Sequence, residues 1–281
     1  MRAFLSGLLA LCALPALGQS WDDGAVPFVV TPPEIVERML RLAEVGPGDT
    51  LVDLGSGDGR IVIAAARRGA RAFGVDLDPA LVKLATENAA KAGVAARARF
   101  EVRDLFETDL SQASVVAFYL LPEVNARLLP KLLALRPGTR IVSHDGGIGD
   151  WESDERLELR VPEKPVGVDG QSRVELWVVP ADARGRWTGE IPGHGGRWTF
   201  DIAQRHQALE VAVGTGGRDL LVRASRLRGT ELKIVVTGVV GAHAWNHLFA
   251  GRVDGGRIEG TLTVSDGNQT RSFPWTAQRR P

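Results

Sequence analysis

The chain has 281 residues, 44% of them hydrophobic and 24% charged, with equal numbers of basic and acidic side chains. That length exceeds one average domain, and the composition is that of a globular protein able to bury a real core. A formal net charge of zero removes the bulk attraction by which basic chains bind nucleic acid, so no nucleic-acid partner is expected.

Residues 1–18 depart from this average. Arg2 precedes an almost unbroken apolar run over residues 4–17, and Ala16-Leu17-Gly18 places small residues where a signal peptidase reads. The pattern predicts a secretory signal peptide, too short for a comfortable membrane span. The mature chain is then periplasmic or otherwise extracytoplasmic and has no transmembrane span. The alternatives are an inner-membrane anchor or a cytoplasmic chain with a misassigned start. Cys12 is the one cysteine, so its loss with the signal excludes disulfides, cysteine metal sites and a thiol nucleophile.

From residue 26 to 180, apolar helical stretches alternate with short apolar runs, as parallel α/β units require. Pro32-Pro33-Glu34 opens a helix whose Ile35, Val36, Met39 and Leu40 share a face, and Gly46-Pro47-Gly48 turns the chain. A strand is predicted over 50–54, a helix over 60–68 and a strand over 71–75. Asp78 caps a helix from Pro79 to about Ala92, with Gly93 just beyond its end. Strands follow at 98–102 and 114–119, then a helix over 123–135 and a strand over 139–143. Two last runs, 156–161 and 174–179, have only a loop between them. The order is that of an α/β Rossmann-like domain with seven strands, the last two a hairpin.

After residue 184 the period changes to two, as in Leu209-Glu210-Val211-Ala212-Val213 and Leu232-Lys233-Ile234-Val235-Val236. With glycine turns at 195–196, 216–217 and 255–256, this predicts an all-β barrel or sandwich of about eight antiparallel strands over residues 184–281. Trp187, Trp198, Trp245 and Trp275 are read as its core. His243 and His247 have helical ligand spacing in a strand and no evident third ligand, so no metal is expected. This half carries 14 Lys+Arg against 8 Asp+Glu, an excess read as a solvated arginine-rich surface.

The chemistry is concentrated in Asp53-Leu54-Gly55-Ser56-Gly57-Asp58-Gly59-Arg60, directly after the first strand. Glycines there let the backbone turn tightly and approach a ligand at the carboxyl edge of the sheet. A dinucleotide fingerprint has its third glycine five residues after the first; here Gly59 is four after Gly55. Asp53, two residues ahead of the first glycine, complements a positive amino group rather than a pyrophosphate. Asp76 ends the second strand and is placed to accept from two ribose hydroxyls. Asp104 follows the third strand, placed for an adenine amino group, with Leu77 and Leu105 covering the ring. Ser56 and Thr31 complete the set, Thr31 as a contact for the cofactor carboxylate or as a helix N-cap. Three acids after three successive strands, with the glycine loop, point to S-adenosyl-L-methionine and a seven-strand methyltransferase domain.

Residues 53–60, together with Val26-Pro27-Phe28-Val29, Pro32 and Phe118-Tyr119-Leu120-Leu121-Pro122, resemble a known family. It comprises the small methyltransferases related to those that methylate lysine in the mitochondrial ATP synthase c-subunit and the adenine nucleotide translocase. The resemblance covers roughly residues 26–179, including the short connection from Ser143-His144-Asp145 to Trp151. It implies a lysine side chain of a protein as methyl acceptor; a small-molecule acceptor is the other expectation. No Asn-Pro-Pro-aromatic grip for a planar amide or amino-purine follows the fourth strand. Tyr119, the one tyrosine, is the candidate to orient an amine, and His144 with Asp145 is the candidate acid/base pair. The competing function is a non-catalytic cofactor-binding protein whose β domain recognises a ligand or envelope partner.

Overall fold

The computed structural model describes residues 29–162, 170–192, 194, 196–240 and 243–280. The segment read as a signal peptide lies outside them. The first half runs α1 (Pro33–Leu42), β1 (Thr50–Leu54), α2 (Arg60–Arg67), β2 (Arg71–Asp76), α3 (Pro79–Lys91) and β3 (Ala98–Val102). It continues with β4 (Val115–Phe118), α4 (Pro122–Leu133), β5 (Arg140–His144), β6 (Glu155–Arg160) and β7 (Gln171–Val178).

Three helices begin with a proline in the first turn, where its missing N–H is not needed. Asp78 caps α3 by accepting from the Ala80 amide at 2.7 Å. The strands assemble as β3-β2-β1-β4-β5-β7-β6. β1 pairs in parallel with β2 and β4, whereas β7 runs antiparallel to both β5 and β6. All four residues of β4 are buried, the mark of a strand covered on both faces. One face packs on α1 and α2 through Ile35, Met39, Leu40, Ile61 and Val62, and the other on Leu128 and Leu132 of α4. Mostly exposed β6 ends the sheet with charged residues on its edge.

The second half is a closed barrel rather than a sandwich. Its strands are β8 (Gly185–Glu190), β9 (Arg197–Arg205), β10 (Ala208–Thr215), β11 (Arg218–Arg228), β12 (Glu231–Val240), β13 (His243–Asp254), β14 (Arg257–Ser265) and β15 (Thr270–Arg279). Each pairs antiparallel with its sequence neighbour, and β15 returns to β8 to leave no free edge. Trp187, Trp198, Phe200, Phe249 and Trp275 fill the interior, several as edge-to-face pairs with ring centroids about 5 Å apart. Trp245 is only partly buried against this core.

The barrel docks on the segment between β5 and β6. Trp151 Nε1 donates to Gln207 Oε1 at 2.7 Å, Gln207 Nε2 donates to the Glu152 carbonyl, and Arg228 pairs with Glu155. Where β13 and β14 cross closest, Gly251 faces Gly260, and a Cβ on Gly260 would run into the Ala250 carbonyl. Gly260→Ala is therefore expected to lower stability in urea denaturation by about 1–3 kcal/mol through overpacking, with cofactor affinity unchanged.

Candidate active site

The carboxyl ends of β1, β2 and β4 surround a cavity of about 500 Å³. Its walls include Thr31, Asp53, Gly55, Ser56, Gly57, Asp76, Leu77, Leu105 and Tyr119, so nine of the residues singled out by sequence converge there. Gly55, Gly57 and Gly59 all have positive φ, which lets the loop reverse direction between β1 and α2. The Gly55 and Ser56 amides both donate to the Val75 carbonyl at 2.9 Å, tying the loop to the end of β2. A Cβ at Gly55 would press on Leu120, across the cavity floor.

Asp53 is the electrostatic centre. It is 1% exposed, and its Oδ1 has no hydrogen-bond partner. Burial, with Asp76 and then Asp58 adding like charge, pushes its carboxyl up to about 8. Ser56 Oγ, also buried, is likewise without a partner. Unsatisfied buried polar atoms facing one cavity are costly unless a ligand completes them. Asp76 accepts from the Gly57 amide at 2.8 Å and the Asp78 amide at 3.0 Å, one bond on each oxygen. Each oxygen retains a second lone pair for a hydroxyl. Leu77 is 60% exposed at the rim, an apolar surface open to a ring.

Two of the residues expected at the site lie outside the cavity lining. Asp104 turns back to accept from the Phe106 amide at 2.8 Å, and it does not line the cavity, although Leu105 does. His144 is fully buried and does not line it either. Its Nδ1 lies 3.3 Å from Thr31 Oγ1, and its Nε2 lies 3.2 Å from Ser172 Oγ and 3.3 Å from Asp145 Oδ2. An Nε2–H directed at the carboxylate leaves Nδ1 to accept from Thr31, so the ring is clamped rather than free to trade protons with a substrate. Asp145, at φ +52°, also accepts from the Arg173 amide. The His144 ring packs against Tyr119 with centroids 4.1 Å apart, which makes the pair a support for the tyrosine. Thr31 serves this network; the α1 N-cap is Pro32.

Sequence reasoning missed Asp58 and Arg60. Arg60 pairs with Asp58 and donates to the Thr31 carbonyl at 2.8 Å, joining the glycine loop to the chain entering α1. An arginine directly after the loop was the available signal. Arg103, another wall residue, had none.

A family model described as the ANTKMT methyltransferase domain matches residues 53–155. The chain is 43% identical over 137 residues to a protein-lysine N-methyltransferase of Saccharolobus islandicus, covering 48% of this chain and 85% of that one. The chain belongs to this methyltransferase family. It is an S-adenosylmethionine-dependent methyltransferase, and the cavity fits that cofactor. Asp53 would hold the amino group, Asp76 the ribose hydroxyls, and Leu77 with Leu105 the adenine ring. The methyltransferase is also 38% identical to the mouse ATP synthase c-subunit lysine N-methyltransferase, covering 50% of this chain and 58% of that enzyme. To the mouse adenine nucleotide translocase lysine N-methyltransferase it is 36% identical, covering 57% and 65% respectively. A solved Salinibacter ruber RNA methyltransferase with S-adenosyl-L-homocysteine is 49% identical, covers 55% of this chain and 95% of its own, and aligns with a TM-score of 0.49.

With Asp53 on the cofactor amino group, cofactor binding by this methyltransferase is expected to depend on pH. In the unliganded chain its pKa lies above the ordinary 3.8. Between about pH 4 and 8 the folded state thus keeps a proton that the unfolded state has lost, and stability falls as pH rises. A bound ammonium favours the carboxylate, so binding releases that proton. S-adenosylhomocysteine affinity is expected to rise from about pH 6 towards 8, by at most about tenfold per unit. Calorimetry in buffers of different ionisation enthalpy reads the released proton. Asp53→Asn is expected to bind more weakly and to lose the slope; a slope kept in the variant assigns it to another group.

Proposed function

We propose that the chain methylates the ε-amino group of a lysine in a protein substrate. The observation that carries this reading is Tyr119, which directly follows the fourth strand at the cavity wall beside Leu120. The activities by which the archaeal and mouse relatives are named support the same acceptor.

When bound, S-adenosylmethionine supplies a methyl group on a sulfonium, activated for in-line displacement. The protein's part is then to position a neutral amine and to let one proton leave. Apolar walls at Leu120 and Val29 desolvate an entering lysine and favour its neutral form. Burial, and then the negative charge of Asp145, hold the Tyr119 hydroxyl above its ordinary pKa. It therefore stays protonated at neutral pH and acts as an orienting group, not as a phenolate base. The clamped His144 fixes the plane of the tyrosine ring.

The experiment is to incubate the full chain with methyl-labelled S-adenosylmethionine and a protein extract, then hydrolyse and separate the amino acids. Label on methylated lysine is expected; label confined to nucleosides or to small molecules overturns the reading. With an identified substrate, Tyr119→Phe is expected to reduce kcat by about a hundredfold while leaving cofactor affinity intact.

The apolar run at residues 4–17 supports an extracytoplasmic location as part of the same proposal. A C-terminally tagged chain is expected in the extracytoplasmic fraction. Recovery from the cytosol alone rejects that location.

A further inference from the structure

Four acids line the cofactor cavity, Asp53, Asp58, Asp76 and Asp78, against two cations among the described residues, Arg60 and Arg103. The amino-acid end of S-adenosylmethionine is a zwitterion, with its ammonium and its carboxylate on one carbon. A ligand whose ammonium rests on Asp53 therefore brings its carboxylate close to the same side chain. Among acids alone that carboxylate would be repelled, so the site needs a cation at the Asp53 end.

Thr31, the residue that the sequence suggests for this contact, turns its hydroxyl to His144 Nδ1. Arg103 belongs to the Asp76 end of the cavity. Its amide donates to the Asp76 carbonyl at 3.0 Å, and its guanidinium pairs with Glu101 at 2.6 Å. Arg60 belongs to the Asp53 end. It follows the glycine loop directly, and its partner Asp58 is near enough to Asp53 to act on that carboxyl through like charge.

The Arg60 guanidinium is held in place before any ligand arrives. Its Nε donates to Asp58 Oδ1 at 2.9 Å, its Nη2 to Asp58 Oδ2 and its Nη1 to the Thr31 carbonyl at 2.8 Å. Asp58 is anchored in turn, its backbone carbonyl accepting from Asn88 Nδ2 at 3.0 Å. These bonds use three of the five N–H groups of a guanidinium and leave one on Nη1 and one on Nη2. A pair of N–H groups on the two terminal nitrogens can take a carboxylate through two parallel bonds. The side chain is 29% exposed and already fixed, so little freedom is lost on binding. We propose that Arg60 binds the carboxylate of the cofactor's amino-acid end through these two N–H groups, completing with Asp53 a site for the zwitterion. This rests on the cofactor assignment and is independent of the methyl acceptor. Asp58 is then a positioning residue that aims the guanidinium.

The test is calorimetry on the full chain, without acceptor, using S-adenosylmethionine and decarboxylated S-adenosylmethionine. The two ligands share the sulfonium, the ammonium and the nucleoside, and differ only in the carboxylate. The unaltered chain is expected to prefer S-adenosylmethionine by about tenfold to a hundredfold, the range of a charged hydrogen-bonded contact. Arg60→Gln is expected to lose that preference, and Arg103→Gln to keep it. A merely structural role for Arg60 would weaken both ligands alike and leave their ratio unchanged, which overturns the proposal. So does a preference that Arg103→Gln abolishes, or equal binding of both ligands to the unaltered chain. Binding of neither ligand rejects the cofactor assignment itself, and the proposal with it. Should Arg60→Gln fail to fold, Arg60→Lys keeps one charge without the fork and is expected to show a reduced preference; an undiminished one overturns the proposal.

Discussion

Asp53 sits at the carboxyl end of β1, and β1 lies between parallel neighbours in a sheet covered by helices on both faces. A side chain at that point is removed from water by topology, whatever its chemistry. A carboxylate there is held among two further acids with one oxygen unsatisfied, and the ligand-free protein meets the strain by keeping the proton. The site is therefore tuned to a cation before any cation arrives. The glycine loop, the Asp76 anchor on Gly57 and the Arg60 tie to Thr31 all hold the walls around this carboxylate. Without them the cavity would relax around Asp53 and admit water, and the bias towards a positively charged amino group would fade.

The parts that local chemistry dictates were legible in the sequence. Positive φ at three closely spaced glycines, an acid at each strand end, proline at helix starts and Asp78 as a cap are decided within a few residues. Asp104 shows where this stops. An acid that faces a cavity and one that bends back onto the amide two residues later follow the same strand in the same sequence; only the course of the loop separates them. His144 is the second case. Its role depends on Thr31 and Ser172, which are 113 and 28 residues distant in the chain, and nothing local marks them as its partners.

In the barrel, strict alternation exposed β10 and β12, whereas several other strands were hidden by particular residues. β11 carries a register shift between Val222 and Ala224, which breaks the period of two. β13 contains Gly251, and β15 contains Pro274 paired opposite Thr261. Closure could not be read from the sequence because it depends on the pairing of β15 with β8, the last and first strands of the domain. The tryptophans were legible as core by size alone.

The docking of the barrel bears on the Tyr119 wall of the cavity. The β9–β10 turn reaches Asp150, Trp151 and Glu152 through Arg205, His206 and Gln207. These contacts fall on the chain that leaves Asp145, the residue that clamps His144 under Tyr119. Charge follows the same line, since basic Arg205 and Arg228 of the barrel meet acidic Asp150 and Glu155 of the other half. Most of these pairs are too exposed to add much stability singly. The buried part, Trp151 held between Trp177 and Gln207, is what makes the contact specific. A barrel so attached shares its anchoring segment with the residues that back the Tyr119 wall of the cavity. The barrel thereby braces the segment whose Asp145 holds His144 under Tyr119.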